Sequence, residues 1–142
     1  DRLVLVVPRD HPLAGYRQLA FREVLDQEFV GLSRGSALQE YLGRHAARTG
    51  RALKLRVRLS SFDAVCRGWW GAAWALGVIP EAAARGCRRS MAIRTVRPTD
   101  AWALRHLTVC VRRFGELPAH ARQPIEHLRA RGDERPRPRR VR

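Results

Sequence analysis

The sequence predicts an α/β fold, a mostly parallel sheet with helices on its faces, and three observations carry that expectation. Continuous apolar runs of strand length occur at "LVLVV" (Leu3 to Val7) and "LGVIP" (Leu76 to Pro80). Segments of helical spacing lie between such runs. The period-two stretch "LKLRVRL" sets Leu53, Leu55, Val57 and Leu59 against Lys54, Arg56 and Arg58, as a half-exposed strand does.

Taken in order, Leu3 to Val7 is a strand buried on both faces inside a parallel sheet, ended by Pro8. "AFREVLDQE" (Ala20 to Glu28) puts Phe21, Val24 and Leu25 on one helical face, and Phe29 to Leu32 forms the next short strand. Ser36 with Gln39 makes an S-x-x-Q capping box that opens the helix "ALQEYLGRHAART", with Gly50 as its stop. After the strand 53–59, Ser60 or Ser61 caps a helix through Phe62, Ala64 and Val65. The strand 76–80 leads into a short helix "EAAARG". "MAIRTV" (Met91 to Val96) and "LRHLTVCVRR" (Leu104 to Arg113) supply two further strands. "PAHARQPIEHLRARG" is a last helix, interrupted near Pro124. From Arg131 onward the chain is Arg- and Pro-rich without apolar periodicity, the pattern of a disordered tail.

The 142 residues suit one ordinary domain or part of one, and no apolar run approaches the ~20 residues of a membrane span. The net charge is +15, but Lys54 is the only lysine among 28 basic residues. Arginines scattered along the chain are what a GC-rich coding sequence produces, so the charge alone does not name nucleic acid as a partner. Cys66, Cys87 and Cys110 are widely spaced without C-x-x-C, and the five histidines lack metal-ligand spacing. No metal, cofactor or disulfide framework is expected, and a reducing cytoplasm is the simpler compartment.

"GLSRG" (Gly31 to Gly35) fits the G-x-S-x-G pattern of a hydrolase nucleophile elbow, with Ser33 as nucleophile. Asp63 or Asp100 followed by His106 or His120 would complete the order Ser, acid, His. Against that reading, at most two strands precede Ser33, no HGGG-type loop is visible, and the capping box delays the helix to Ser36. The alternative is a binding cradle. In open α/β sheets ligands sit outside the carboxyl ends of strands, where amides at helix starts favour anions. Two such ends occur, at Ser33 to Ser36 and at Ser60 to Phe62, and Arg34 adds charge. The plainest view of these serines is that they are caps alone. A third reading gives the Arg-rich segment 129–142 a role as a basic nucleic-acid-binding module.

"DRLVLVVPRDHPLAG", "FVGLSRGSALQEYLGRHA", "LRVRLSSFDAVCR", "LGVIPEAAARG" and "LTVCVRRFGELPAHARQPIEHL", in this order, resemble the C-terminal part of the effector-binding domain of LysR-type transcriptional regulators. The resemblance covers residues 1 to about 128. It implies a periplasmic-binding-protein-like (type 2) fold, in which two α/β subdomains joined by crossing strands hold a small effector in their cleft. Residues 1–11 would be the first crossing strand, 12–103 a complete Rossmann-like distal subdomain, and 104–130 the returning strand and C-terminal helix of a partial proximal subdomain. Effector contacts would fall on Ser33, Arg34, Gly35, Ser36, Ser61 and Phe62, with an anionic small molecule as partner and no catalytic role. The family's helix-turn-helix, linker helix and first half of the proximal subdomain lie outside these residues. Operator DNA would thus be bound only through that N-terminal part, and the full-length form would be a homo-oligomer. For the fragment alone the expectation is marginal stability or association between chains.

"GWWGAAWAL" (Gly68 to Leu76) departs from the family's small-residue pattern. In a shifted frame the codons of Gly68-Trp69-Trp70 can spell Met-Val, close to that pattern, which suggests a compensated frameshift. The alternative is a tryptophan cluster in the core. A fresh DNA read of codons 66–80 should show paired insertion and deletion around this segment. In-frame TGG at positions 69, 70 and 74 with no neighbouring indel refutes the frameshift.

Overall fold

The computed structural model describes residues 1–67 and 75–133. Residues 68–74, with all three tryptophans of the frameshift segment, and residues 134–142 of the expected tail lie outside the described residues. The chain divides into two compact units, Asp1–His106 and Leu107–Arg142.

The first unit is built on six strands: β1 (Leu3–Pro8), β2 (Gln18–Leu19), β3 (Glu28–Leu32), β4 (Lys54–Leu59), β5 (Ala75–Pro80) and β6 (Ile93–Pro98). They lie in the order β2-β6-β1-β5-β3-β4. β2 runs parallel to β6, and β3 runs parallel to both β4 and β5. β1 is antiparallel to both its neighbours, with Leu3 opposite Pro80 and Leu5 opposite Val96. β1 therefore does not lie inside a parallel sheet, contrary to the expectation from its apolar run. An apolar run reports burial on both faces, which all six residues of β1 have, but carries no information about direction.

Four helices pack on this sheet: α1 (Phe21–Val24), α2 (Ala37–Ala47), α3 (Phe62–Arg67) and α4 (Glu81–Cys87). α1 is shorter than the expected 20–28. Asp100 Oδ2 accepts from Phe21 N at 2.7 Å and Glu23 Oε2 from Ala20 N at 2.6 Å, which fixes its start, while Glu28 already belongs to β3. α2 starts where the serine predicts and ends at Ala47, and Gly50 adopts φ +74° beyond it. Phe21, Val24, Phe29, Leu38, Leu42, Val65, Leu76, Ile79 and Val96 form one core with β1. Each fully buried Leu, Val, Ile or Phe contributes ~1.5–3 kcal/mol by leaving water.

β4 does not keep its simple alternation. Phe29 pairs with Leu55 and Val30 with Val57, so Arg56 is an extra residue in the ladder. A one-residue bulge puts the residues after it on the opposite face, so Val57 and Leu59 do not share the face of Leu55; Val57 is exposed, while Leu59 packs against the core.

Leu104 to Arg113, expected as the returning strand, is not one. Leu104 makes an isolated antiparallel bridge with Arg2, and no ladder follows. The alternating apolar residues are present, but Leu107, Val109 and Val111 are 75, 59 and 39 % exposed. A strand exists only through its partner, and beyond the bonds of Leu104 and Arg105 to the first two residues no ladder with a described segment forms.

In the second unit a 3-10 turn at Phe114–Glu116 precedes α5 (Ala119–Asp133). The Arg129 guanidinium lies 4.6 Å from the Phe114 ring centroid, and Arg122 Nε donates to Leu117 O at 2.7 Å. α5 runs through Pro124 instead of breaking, so the helix tolerates the loss of one donor toward the His120 carbonyl. It also continues to Asp133, past the expected start of the tail at Arg131. None of residues 107–131 is buried. No described helix is long and apolar enough to cross a membrane.

An aromatic cluster fastens the segment after β6 to the helices. The Trp102 ring stacks on His45 at 4.3 Å and meets Phe21 edge-on at 4.9 Å, and Tyr41 Oη donates to Trp102 O at 2.9 Å. Burial, then the Arg48 and Arg44 charges, lower the His45 pKa below its ordinary 6.5, with Asp100 opposing. A histidine with a depressed folded pKa binds fewer protons folded than unfolded, so its contribution is present above pH 6.5 and shrinks as pH falls through that value. Urea unfolding at pH 7.5 and 5.5 should therefore show a larger acid loss of stability in the wild type than in His45→Phe. Equal losses would show that His45 does not govern this window.

Candidate functional site

The two strand ends singled out from sequence lie side by side, because β3 and β4 are parallel neighbours and Leu32 is opposite Leu59. Ser33 N donates to Leu59 O at 2.9 Å, and Ser33 Oγ donates to the same carbonyl at 3.2 Å. One carbonyl thus ties the loop 33–36 to the chain entering α3. Ser36 N donates to Ser33 O at 3.2 Å, and Gly35 takes φ +82°, a conformation that glycine adopts without strain.

The Ser36 and Ser61 hydroxyls have local bonds. Ser36 Oγ accepts from Gln39 N at 3.4 Å, and Ser61 Oγ accepts from Ala64 N at 3.1 Å. Both are N-caps: Ser36 as the sequence indicates, and Ser61 of the two candidates Ser60 and Ser61. Half of the expected capping box is replaced. Gln39 does not reach back to Ser36; its Oε1 is buried and accepts from Leu32 N at 2.9 Å, which pins the last residue of β3 to α2. Phe62 packs against the hydrophobic core, so of the predicted contact residues it offers backbone and not a free ring. Arg34 and Gly35 are exposed, and with Arg58, Leu53, Leu55 and Gly43 they line a concavity of about 410 Å³ between α2 and β4. Arg58 Nη1 donates to Leu32 O at 3.3 Å.

The hydrolase geometry is not assembled around Ser33. Its hydroxyl donates to a backbone carbonyl, and no described residue other than glycine has a positive φ, so Ser33 lacks the strained turn of an elbow. Asp100 accepts from the Phe21 amide, and Asp63 pairs with Arg67 at 2.8 Å. His106 is exposed. The three cysteines are free, Cys66 and Cys87 buried and Cys110 exposed; burial and a hydrogen bond with Cys87 push the Cys66 thiol pKa up. Among the described residues no group of three His, Cys, Asp or Glu could hold a metal.

Gln39, Gly31 and Arg58 were not foreseen in these roles. The available signal was Gln39 between Leu38 and Leu42 on the buried side of α2, a polar residue that must find a partner there.

A family model for the LysR substrate binding domain matches residues 1–133. This chain belongs to the LysR substrate binding domain family. Its fold agrees with those of solved family members. It superposes on a LysR-family regulator of Pseudomonas aeruginosa with TM-score 0.66 at 16 % identity, covering 92 % of this chain and 47 % of that one. The effector binding domain of QuiR in complex with shikimate gives 0.58 at 19 %, covering 70 % and 46 %. The regulatory domain of Synechocystis CcmR in complex with 2-PG gives 0.60 at 20 %, covering 69 % and 47 %. The LysR substrate binding domain described here thus spans just under half the length of these chains. No match was found among curated proteins. The mixed α/β architecture is that of LysR effector-binding domains of the periplasmic-binding-protein-like type.

A Cβ at Gly31 would overlap Gln39 Oε1 and Leu55 Cδ2. Gly31→Ala should therefore destabilise the domain by ~1–3 kcal/mol through overpacking. Gln39→Leu should do so by a similar ~1–3 kcal/mol through the unsatisfied Leu32 amide. Urea unfolding reads both, and an unchanged midpoint in either variant would contradict the assigned bond.

Proposed function

We propose that this chain is the ligand-sensing part of a LysR-type DNA-binding transcriptional regulator, and that its effector is a small anion held at the joined ends of β3 and β4. The observation that carries this reading is the pair of hydrogen bonds that Ser33 N and Ser33 Oγ donate to Leu59 O, which sets two helix starts beside one loop. Amides at such starts, the positive φ of Gly35 and the exposed Arg34 side chain suit a carboxylate. Ser33, Arg34, Gly35, Ser36 and the backbone at Ser61 and Phe62 are the contact residues in this proposal. The role is binding, and effector binding would bias the arrangement of the full-length oligomer on operator DNA through a domain outside this chain. QuiR and CcmR, in complex with shikimate and 2-PG, support a small polar effector as the ligand class.

The test is calorimetric titration with a panel of small carboxylates including shikimate and 2-PG. A binding member should lose about tenfold in affinity, ~1.4 kcal/mol, in Arg34→Gln, while the melting temperature of the free variant stays unchanged. Unchanged affinity in both Arg34→Gln and Ser33→Ala would place the effector elsewhere. A covalent serine-hydrolase probe that labels the wild type and spares Ser33→Ala would instead restore the hydrolase reading.

A further inference from the structure

Four of the chain's scattered arginines converge where composition gives no reason for them to meet. Arg17, Arg88, Arg94 and Arg97 line a polar concavity of about 860 Å³ beside β6, with the half-buried hydroxyl-bearing Thr95 on the same strand. β2 pairs only with Arg97 and Pro98, so Arg94 and Thr95 stand on a stretch of β6 that β2 does not cover. Glu81 is the one carboxylate in the lining, and it pairs only with Arg97, at 3.4 Å. Four guanidiniums against one carboxylate leave +3 (4 − 1), and Arg17, Arg88 and Arg94 have no ion-pair partner among the described residues.

We infer that this concavity is a second anion site, for a phosphate group carried on a small molecule or free. Three considerations select that chemistry. A single carboxylate would leave two of the three unpaired guanidiniums uncompensated (3 − 1), whereas a phosphate monoester brings close to two charges and three acceptor oxygens. The planar fork of arginine matches phosphate in two-pronged fashion, which lysine does not. The volume lies within the range of small-molecule sites and exceeds what a bare anion needs. The site shares no residue with the loop 33–36 or the start of α3, so it stands or falls separately from the effector site proposed above.

The experiment is a ¹⁵N NMR titration of the whole chain at fixed ionic strength with inorganic phosphate, glycerol 3-phosphate, acetate and a random-sequence DNA duplex. Phosphate and glycerol 3-phosphate should shift the Arg94 and Thr95 amides saturably, and acetate should not. Tighter binding of glycerol 3-phosphate assigns the site to an organic phosphate, and the reverse assigns it to free phosphate. Arg88→Gln/Arg94→Gln should weaken binding at least tenfold, while Arg34→Gln and the tail variant Arg139→Gln/Arg140→Gln leave it unchanged. Amides of β3 and α2 in the same spectra report folding; if the double variant disturbs them, Arg94→Gln alone should still weaken binding at least threefold. Absence of saturation, equal binding of acetate, undiminished affinity in the folded variants, or tighter binding of the duplex through these same amides would each overturn the assignment.

Discussion

The sheet depends on a single reversed strand. β2 and β6 form one parallel pair, β5, β3 and β4 form another parallel group, and only β1 touches both, hydrogen-bonded antiparallel to β6 on one side and β5 on the other. Without β1 the two parallel pieces would have two open edges and no shared core. That is why its side chains are among the most completely buried of the described residues, Leu3, Leu5, Val6 and Val7 having no exposed surface. An antiparallel strand can enter from outside the local α/β alternation, since it needs no crossover helix on either side. The remaining strands keep the wound pattern, with β3, α2, β4, α3 and β5 following one another in sequence.

From that constraint the position of the candidate site follows. β5 is held against β1 and carries β3, which in turn carries β4, so the end of β3 is registered through two ladders, and that of β4 through three, back to the central strand. The buried Gln39 side chain then transmits the register of β3 to α2, and Leu59 O transmits it to the loop beside α3. Ser33, Arg34 and Gly35 are exposed, while the end of β3 and the Gln39 side chain that set where the loop begins are buried beneath them. This is the usual division of labour between scaffold and binding loop.

Sequence reasoning reached the elements whose determinants are local. The Ser36 and Ser61 caps, the strand ends at Leu32 and Leu59 and the helix at Glu81 are all set by a few neighbouring residues. It failed where the determinant is a distant partner. The direction of β1 is decided by β5 and β6, the two-residue β2 exists only because Arg97 and Pro98 receive it, and Leu104 to Arg113, bridged to Arg2 at its start, has the alternation of a strand without a partner strand among the described residues. At the candidate site the same distinction holds. The loop and its cap were legible, whereas the use of Gln39 by the Leu32 amide could be guessed only from a polar side chain on an apolar face.

The centrality of β1 also bears on how quickly the domain can form. Its partners are far along the chain: Leu3 meets Pro80 across 77 positions and Leu5 meets Val96 across 91. Closing loops of that length costs chain entropy before any ladder contact compensates for it, so non-local pairings of this kind slow folding relative to a helical bundle of similar size. Until β5 and β6 have reached β1, the nascent β3, α2 and β4 layer holds an uncovered apolar face, so the slowest pairing in the domain also sets how long it is exposed to aggregation.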